Sequence, residues 1–357
     1  MPTAVIVGAS LSGLMSALTL SRAGVDATVL ERASAAPRSG AAVGVDDAEL
    51  ARITGVVRQV APSSSLPAGV QAWATVHARL RAAVEADARI EVRYDTTALR
   101  VEQDAHAAWV VTSNATIRAD VVIGADGHRS IVRRCVSPER PDATFAGYQI
   151  WLGLADEAAL GTRPRWPREV AFLRGRDDLL LGYPLPGRDG STVPGTRQLG
   201  WAWYDASRNA LLREKGCVRG QVVHHSLTGK HIPADVLQEL ASHSDRWPSP
   251  WRDAILDCIA RRALLGIPIA EYVPTKLVRG RVALVGDAAH VPTPMTASGF
   301  SASLYDAEAI AEAVADGVSR GDMTDALGTY QRRRLSAVRQ LVLSGQEFSR
   351  SFASRAA

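Results

Sequence analysis

Residues 8 to 13 read Gly8-Ala9-Ser10-Leu11-Ser12-Gly13. In such a turn the first glycine permits a tight bend, a second lets the backbone approach a pyrophosphate, and the last permits close packing of strand on helix. Ser10 stands where a second glycine is usual. It adds one small side chain, and its hydroxyl can bond a phosphate at the positive end of a helix. Taken alone, the stretch is equally a plain strand-to-helix connection. A nucleophile elbow is excluded, because G-x-S-x-G would need glycine where Ser12 stands. About 20 residues on, Glu31 ends a second apolar run and is placed to take ribose hydroxyls. The combination predicts an adenine dinucleotide held by Gly8, Ser10, Leu11, Ser12, Gly13 and Glu31. Arg32 and Arg38 are candidate cationic contacts, with the surface as the alternative for either.

Two further stretches bring chemistry-bearing residues to strand ends. In I-G-A-D-G-H-R-S-I-V-R-R, residues 123 to 134, a buried strand ends at a turn that places Asp126 beside a cofactor, with Ser130 and Arg133 opening the next helix. The alternative is a D-G turn before a capped helix. In V-G-D-A-A-H-V-P-T-P-M-T-A-S-G-F-S-A-S-L-Y-D-A, residues 285 to 307, Gly286 and Asp287 sit at a strand end. A small-residue loop through Pro294, Ala297 and Ser298 then reaches a helix starting near Gly299, whose N-terminus can face a partly negative ring.

These residues need a scaffold, and the patterning supplies one. Thr3 to Val7 is β-branched and apolar throughout, which suits a strand buried on both faces of a parallel sheet. Leu11, Leu14, Met15 and Leu18 follow at helical spacing until Gly24 stops the helix. Val25 to Glu31 is the second strand. Residues 71 to 86 predict a helix, and the alternating segments between Ile90 and Asp120 predict hairpin strands. Residues 141 to 250 change character, with most of the tryptophans and strand-like stretches at GYQIWLGL, DLLLGYPLP and RQLGWAWYD. A third buried strand begins near Arg281, and helices follow. The predicted fold is α/β: a discontinuous Rossmann-like domain, residues 1–140 and 270–357, with a largely antiparallel β domain inserted at 141–269 and helices at the C-terminus. Residues 60–75 are assigned to either domain.

With 357 residues, 46% of them apolar, the chain has room for two cores. Lys plus Arg number 41 against 37 Asp plus Glu and are scattered, so no nucleic-acid face is visible. Lysine chemistry has few candidates, Lys215, Lys230 and Lys276. Cys135, Cys217 and Cys258 stand far apart, which argues against a zinc site or a disulfide framework and fits a reducing cytoplasm. The apolar stretch at residues 4 to 20 lacks a basic n-region and is interrupted by small residues, so no membrane or signal segment is expected. His224 and His225 are candidate bases or surface residues.

The order G-x-S-x-x-G with Glu31, then G-A-D-G-x-x-S-x-x-R, then G-D-A-A-H with Pro294, Gly299 and Asp306, resembles the single-component aromatic flavoprotein hydroxylases. These are FAD-dependent monooxygenases similar to p-hydroxybenzoate hydroxylase. The serine of the first motif and W-A-T-V-H-A-R-L at residues 73 to 80 look closest to the 2,6-dihydroxypyridine hydroxylase branch. Departures occur at Thr293, Ala297 and Ser301, where the family often has proline, glycine and asparagine. His77 stands where many members place an arginine near the dinucleotide.

What the resemblance implies is that NADPH or NADH reduces FAD, that the reduced flavin captures O2, and that a flavin C4a-hydroperoxide passes one oxygen atom to a small aromatic or heteroaromatic substrate. The cofactor carries the hard chemistry, so no dense catalytic cluster is required. On this mapping Asp287 holds the ribityl chain, Asp126 lies near the dinucleotide, and Pro294 and Met295 face the ring edge. Gly44 to Asp47 border the flavin, and Asp46 or Asp47 assists deprotonation, with helix capping as the alternative. Tyr183, Trp201, Trp203 and Tyr204 are candidates for the substrate pocket, with Trp201 and Trp203 on one face of their strand and Tyr204 on the other. The resemblance leaves open a reductase or oxidase of a natural-product intermediate, and a flavin-binding sensor without turnover. The expected assembly is a monomer or homodimer.

Overall fold

Four of the five residues Thr3–Val7 are buried, and the segment forms β1 inside a six-stranded sheet. A strand covered on both faces by helices needs apolar side chains at every place, which is why its sequence does not alternate. The computed structural model describes residues 1–36, 40, 42–56, 69–161, 166–188 and 190–354.

After β1 come Asp26–Leu30 (β2), Ala42–Gly44 (β3), Val70–Ala72 (β4), Ile90–Arg93 (β5), Ala98–Gln103 (β6), Ala108–Thr112 (β7), Thr116–Ala119 (β8) and Val121–Gly124 (β9). Thr144–Asp156 (β10), Ala171–Arg174 (β11), Leu179–Leu185 (β12) and Gln198–Asp205 (β13) follow. The short strands Val218–Arg219 (β14), Val222–Val223 (β15) and Leu227–Thr228 (β16) precede Leu264–Glu271 (β17), Val278–Arg279 (β18) and Val282–Leu284 (β19). The helices are Leu11–Arg22 (α1), Asp47–Thr54 (α2), Trp73–Glu85 (α3), Val132–Val136 (α4), Asn209–Glu214 (α5), Ala234–His243 (α6), Trp251–Ala260 (α7), Gly299–Arg320 (α8) and Met323–Ala353 (α9).

The first sheet has the order β18-β19-β9-β1-β2-β5. All its neighbours are parallel except β18 and β19. The chain leaves this sheet at Gly124 and rejoins it at Val278, so the sheet is built from discontinuous segments. Helix α1 packs on α8 and α3, and Ile6, Leu14 and Met15 in this core are fully buried. Each such side chain contributes about 1.5–3 kcal/mol of transfer free energy. Ile90–Arg93 corrects the hairpin expectation: it adds to β2 in parallel, from Ala27↔Ile90 to Leu30↔Arg93. Ile90 and Val92 gain cover from the core there, and only β6, β7 and β8 form the antiparallel meander.

The inserted region forms an antiparallel sheet in which β11, β12, β13 and β10 are neighbours and β17 flanks β10 on the other side. Its back face buries Trp151, Trp201 and Trp203 with Trp247 and Trp251, beneath α6 and α7. Those helices, with α5, add a helical layer to the expected β domain. Its front face carries Tyr148, Ile150, Tyr183 and Tyr204. The last turns of the 31-residue α9 bring Phe348 and Phe352 against this face. Within the segment 60–75, residues 60–68 lie outside the described residues. Val70–Ala72 pairs with β3, Val70 and Ala72 reach the front-face cluster, and Trp73 opens α3 against α1.

Among the described residues no helix is long and apolar enough to cross a membrane. Nor does any group of three or more His, Cys, Asp or Glu among them stand ready to hold a metal ion.

Candidate functional site

Strands β1, β9 and β19 are parallel neighbours, with Val7 opposite Gly124 and Gly124 opposite Leu284. Their carboxyl ends therefore lie in one row, and the three motif turns open along the same edge of the sheet, the place where open α/β sheets bind ligands.

The turns also touch one another. Gly8 has φ +106°, and a Cβ there would fall 2.4 Å from the carbonyl oxygen of Ala125, at the start of the second motif. A Cβ on Gly13 would fall 1.9 Å from the Gly8 carbonyl oxygen. A Cβ on Gly286, at φ +57°, would fall 2.6 Å from the Cβ of Ser12. Glycine is thus required where the turns pack against one another and against α1. Ser10 is the N-cap of α1 and makes no side-chain capping bond, so the first-turn N–H groups of that helix lack helical acceptors. Glu31, buried at the end of β2, accepts from Ala9 N at 2.9 Å and Ala33 N at 2.8 Å, which fixes its carboxylate across the first turn. A cleft of about 350 Å³ runs below, lined by Ser10, Glu31, Arg32, Thr97, Asp126 and Arg129.

Asp126 stands between the cleft and the next helix. It lines the cleft, and its carboxylate accepts from Ser130 Oγ, Ile131 N and Val132 N, capping α4. Burial pushes its carboxyl above the usual range, against those hydrogen bonds. Arg133, fully buried, joins the second turn to the third. It donates to the carbonyls of His128, Pro141, Asp287 and Ala288, and its guanidinium lies 4.2 Å from the Tyr272 ring centroid.

The third turn is held from beneath by Asp306 on α8. One carboxylate oxygen accepts from Gly286 N at 3.0 Å and pairs with His290 Nε2 at 2.7 Å. The other accepts from Arg334 Nε on α9 at 2.8 Å. Burial acts to raise the Asp306 carboxyl, and His290 with Arg334 outweigh it, so the group lies below its ordinary value. Asp287 is exposed. The protein around it still raises its carboxyl by desolvation, against the opposing charges of His290, His128 and Arg133.

Pro294–Thr296 makes one tight turn, Ala297 takes a left-handed φ of 49°, and Ser298 caps α8 at Gly299. Gly44 on β3 faces that loop: a Cβ there would lie 3.0 Å from the Ala297 carbonyl oxygen. His77 lies behind the first turn, its Nε2 3.0 Å from the Ala9 carbonyl oxygen and its ring stacked on Trp73 at 4.7 Å. Asp46 is exposed and accepts from Ala48 N at 2.6 Å as the N-cap of α2, while Asp47 pairs with Arg79 at 3.1 Å. The structure gives both acids the capping and surface work named as their alternative. Leu11, Ser12 and Gly13 are buried in the first turn of α1, Arg32 is exposed at the cleft, and Arg38 lies outside the described residues.

Of the aromatic candidates, Trp201 and Trp203 belong to the core behind the antiparallel sheet. Tyr183 and Tyr204 lie on the front face, in a cluster that Met295 and the β3–β4 pair also join. Tyr183 is 4% exposed, and its hydroxyl lies beside the Ala42 backbone without a hydrogen bond of good geometry. Burial raises the phenols of Tyr183 and Tyr204. His224 and His225 lie away from this face, Arg129 donating to the His224 carbonyl and His225 Nδ1 meeting Cys217 Sγ at 3.5 Å.

Residues 1–81 and 262–344 match the FAD binding domain family. The chain is 29% identical over 352 residues to 2,6-dihydroxypyridine 3-monooxygenase of Paenarthrobacter nicotinovorans, covering 92% of this chain and 86% of that one. It is 28% identical over 286 residues to 3-hydroxybenzoate 6-hydroxylase 2 of Aquipseudomonas alcaligenes, covering 77% of each. The solved structure of 2,6-dihydroxypyridine-3-hydroxylase from Arthrobacter nicotinovorans superposes with a TM-score of 0.79 at 23% identity, covering 99% of this chain and 93% of that one. The row of three turns thus lies in a chain that is similar over most of its length to FAD-dependent flavoprotein monooxygenases of the aromatic-hydroxylase type.

The sequence reading missed the supports rather than the turns. Arg133 was legible only as a helix opener, Arg334 is one arginine among many, and Thr97 at the cleft wall carries no motif at all.

Proposed function

We propose that the chain inserts one oxygen atom from O2 into a small, flat, hydroxylated aromatic or heteroaromatic ring, using NADPH or NADH. The ring would be held between the tyrosine-bearing front face and the Pro294–Gly299 loop. The observation that carries this reading is the close, glycine-dependent contact of three turns at one sheet edge, with an aromatic sheet face reached by the Pro294–Thr296 loop through Met295. The residues suit FAD. Gly8, Ser10 and the start of α1 would take the pyrophosphate, Glu31 the ribose, and Asp287 the ribityl chain, while the N-terminus of α8 would face the ring. FAD when bound supplies electron transfer and oxygen activation. The chain's own residues bind and orient the substrate, and the packed phenyl and phenol rings keep water away from it. Tyr183, on the front face, would donate a hydrogen bond to the substrate. Heteroaromatic substrates are favoured by the likeness to a protein named for 2,6-dihydroxypyridine. The free cysteines Cys135, Cys217 and Cys258 suit a reducing compartment such as the cytoplasm.

The test is direct. Purified protein should be yellow, should consume NADPH or NADH faster with a dihydroxypyridine or phenol present, and should place labelled oxygen from O2 in the product. Turnover without label would make the chain a reductase or oxidase, and flavin without turnover would make it a sensor.

A further inference from the structure

Glu271, at the end of β17, is a buried acid outside the site just described. It is 7% exposed, and among the described residues no lysine or arginine is paired with it. Ser349 Oγ on α9 donates to one carboxylate oxygen, and the other accepts no hydrogen bond among the described residues. Glu271 and Ser349 line a cavity of about 400 Å³ between the start of β10, the end of β17 and the last turns of α9. Arg140 and Arg350, both exposed, stand on its walls, and neither side chain has an ion pair among the described residues. The Tyr272 hydroxyl donates to the Arg140 carbonyl at 2.9 Å, which fixes the backbone of that wall. Asp142, also at the wall, is taken up by Arg134 at 2.8 Å.

Opposite charges thus share one cavity without meeting, the acid at its buried end and two guanidinium groups at its exposed end. A carboxylate taken out of water and left without a cation is costly, and an apolar residue at the end of β17 would pack there without that cost. Two unpaired arginines beside it could have supplied the missing cation, yet the fold keeps them apart from it. This charge order matches a ligand that is itself dipolar, with a cation for Glu271 and an anion for Arg140 and Arg350. A ligand of one charge would leave half of the site unmatched. Between the two ends the wall is apolar, from Pro141, Ala146 and Val273, which suits an aliphatic body. The volume suits a small molecule.

We propose that this cavity binds a free α-amino acid with an aliphatic side chain. The ammonium group donates to the unshared oxygen of Glu271, the carboxylate accepts from Arg140 and Arg350, and the side chain lies against Pro141, Ala146 and Val273. Each charged end makes a charge-assisted hydrogen bond, the stronger kind. No covalent bond forms or breaks, and the site stands whether or not the function proposed above holds. It lies at the same turns of α9 whose Phe348 and Phe352 cover the front face of the antiparallel sheet.

Titration calorimetry of the full chain with L-leucine tests the site. L-Leucine should bind one to one, about tenfold or more tighter than isopentylamine, which lacks the carboxylate, or 4-methylpentanoate, which lacks the ammonium. Glu271→Gln should weaken L-leucine about 10- to 100-fold and abolish its preference over 4-methylpentanoate. Arg140→Gln combined with Arg350→Gln should weaken it by a similar factor and abolish instead its preference over isopentylamine. A general loss of packing would not split the two control ligands in this way. Unfolding temperature checks that both variants fold, and if Glu271→Gln does not, the exposed arginine pair decides alone. The proposal is overturned if L-leucine gives no heat up to ~10 mM, if either control binds as tightly as L-leucine, or if the folded variants bind L-leucine unchanged. Flavin uptake is read separately by absorbance, so failure of the proposed function is told apart from failure of this site.

Discussion

Ser12 and Gly286 meet so closely that a Cβ on Gly286 would lie 2.6 Å from the Cβ of Ser12. Helix α1 and the third turn therefore share a contact with no room for another carbon, at a residue with φ +57°. Gly286→Ala should cost about 1–3 kcal/mol in denaturant unfolding and leave the purified protein pale. Adding Ser12→Gly should recover the part due to the clash, while the backbone strain persists. A yellow Gly286→Ala protein with undiminished stability would show that the turns are not in close contact.

Arg133 supplies the second constraint. Its guanidinium spans the carbonyls of His128, Pro141, Asp287 and Ala288, and burial lowers its pKa without a carboxylate paired to it. Lysine carries the charge but not the planar fork of donors. Arg133→Lys should lose about 2–4 kcal/mol of stability and weaken FAD binding, because the second and third turns would no longer be tied together. Flavin fluorescence titration and urea unfolding measure the two effects, and an unchanged affinity would remove Arg133 from the site.

The contrast between Gly286 and Arg133 explains what was legible in the sequence. Backbone demands leave marks at fixed spacing, so Gly8, Gly13, Gly286 and the buried runs around them announced the parallel sheet and its ligand edge. Ile90–Arg93 was misread because a short half-buried strand carries the same pattern in a hairpin as at a parallel edge. Supports such as Asp306 with Arg334, or Tyr148 with Thr293, join residues 28 and 145 places apart. No local pattern encodes such pairs; only the fold brings them together. Asp46 shows the opposite failure, a residue with suitable chemistry whose local geometry spends it on a helix cap.

The acids under the third turn should respond to pH in opposite directions. Asp306 has a folded-state pKa below its unfolded value of about 3.9, so its contribution is complete above that pH and is lost as pH falls through the folded value. Asp306→Asn should therefore be less stable than the unsubstituted protein at pH ~5, with the gap closing below about 4. Asp287 has a raised folded-state pKa, so it disfavours the flavin-free fold increasingly as pH rises from about 4 through that value. Asp287→Asn should stabilise flavin-free protein at neutral pH and weaken FAD binding. Unfolding curves at several pH values decide both, and a gap of the wrong sign at pH 7 would refute the assignment concerned.

Tyr183 combines a well-packed ring with a hydroxyl that has no well-formed hydrogen bond. The ring sits opposite Gly200 on β13, where a Cβ would lie 2.1 Å from the Tyr183 Cε2 atom, so the sheet has given up a side chain to seat it. A buried hydroxyl whose hydrogen bond is poorly formed gives the fold little, and removing it should not harm stability. Tyr183→Phe should leave stability unchanged or raise it by up to about 1 kcal/mol. If the hydroxyl serves a substrate, the same change should weaken binding of a dihydroxypyridine or a phenol by about tenfold, since one hydrogen bond is lost. An analogue of the same ring without the hydroxyl groups should bind both proteins alike. Equal losses for both ligands would make Tyr183 a shape-filling residue, and a destabilised variant would mean that the hydroxyl has a partner within the fold.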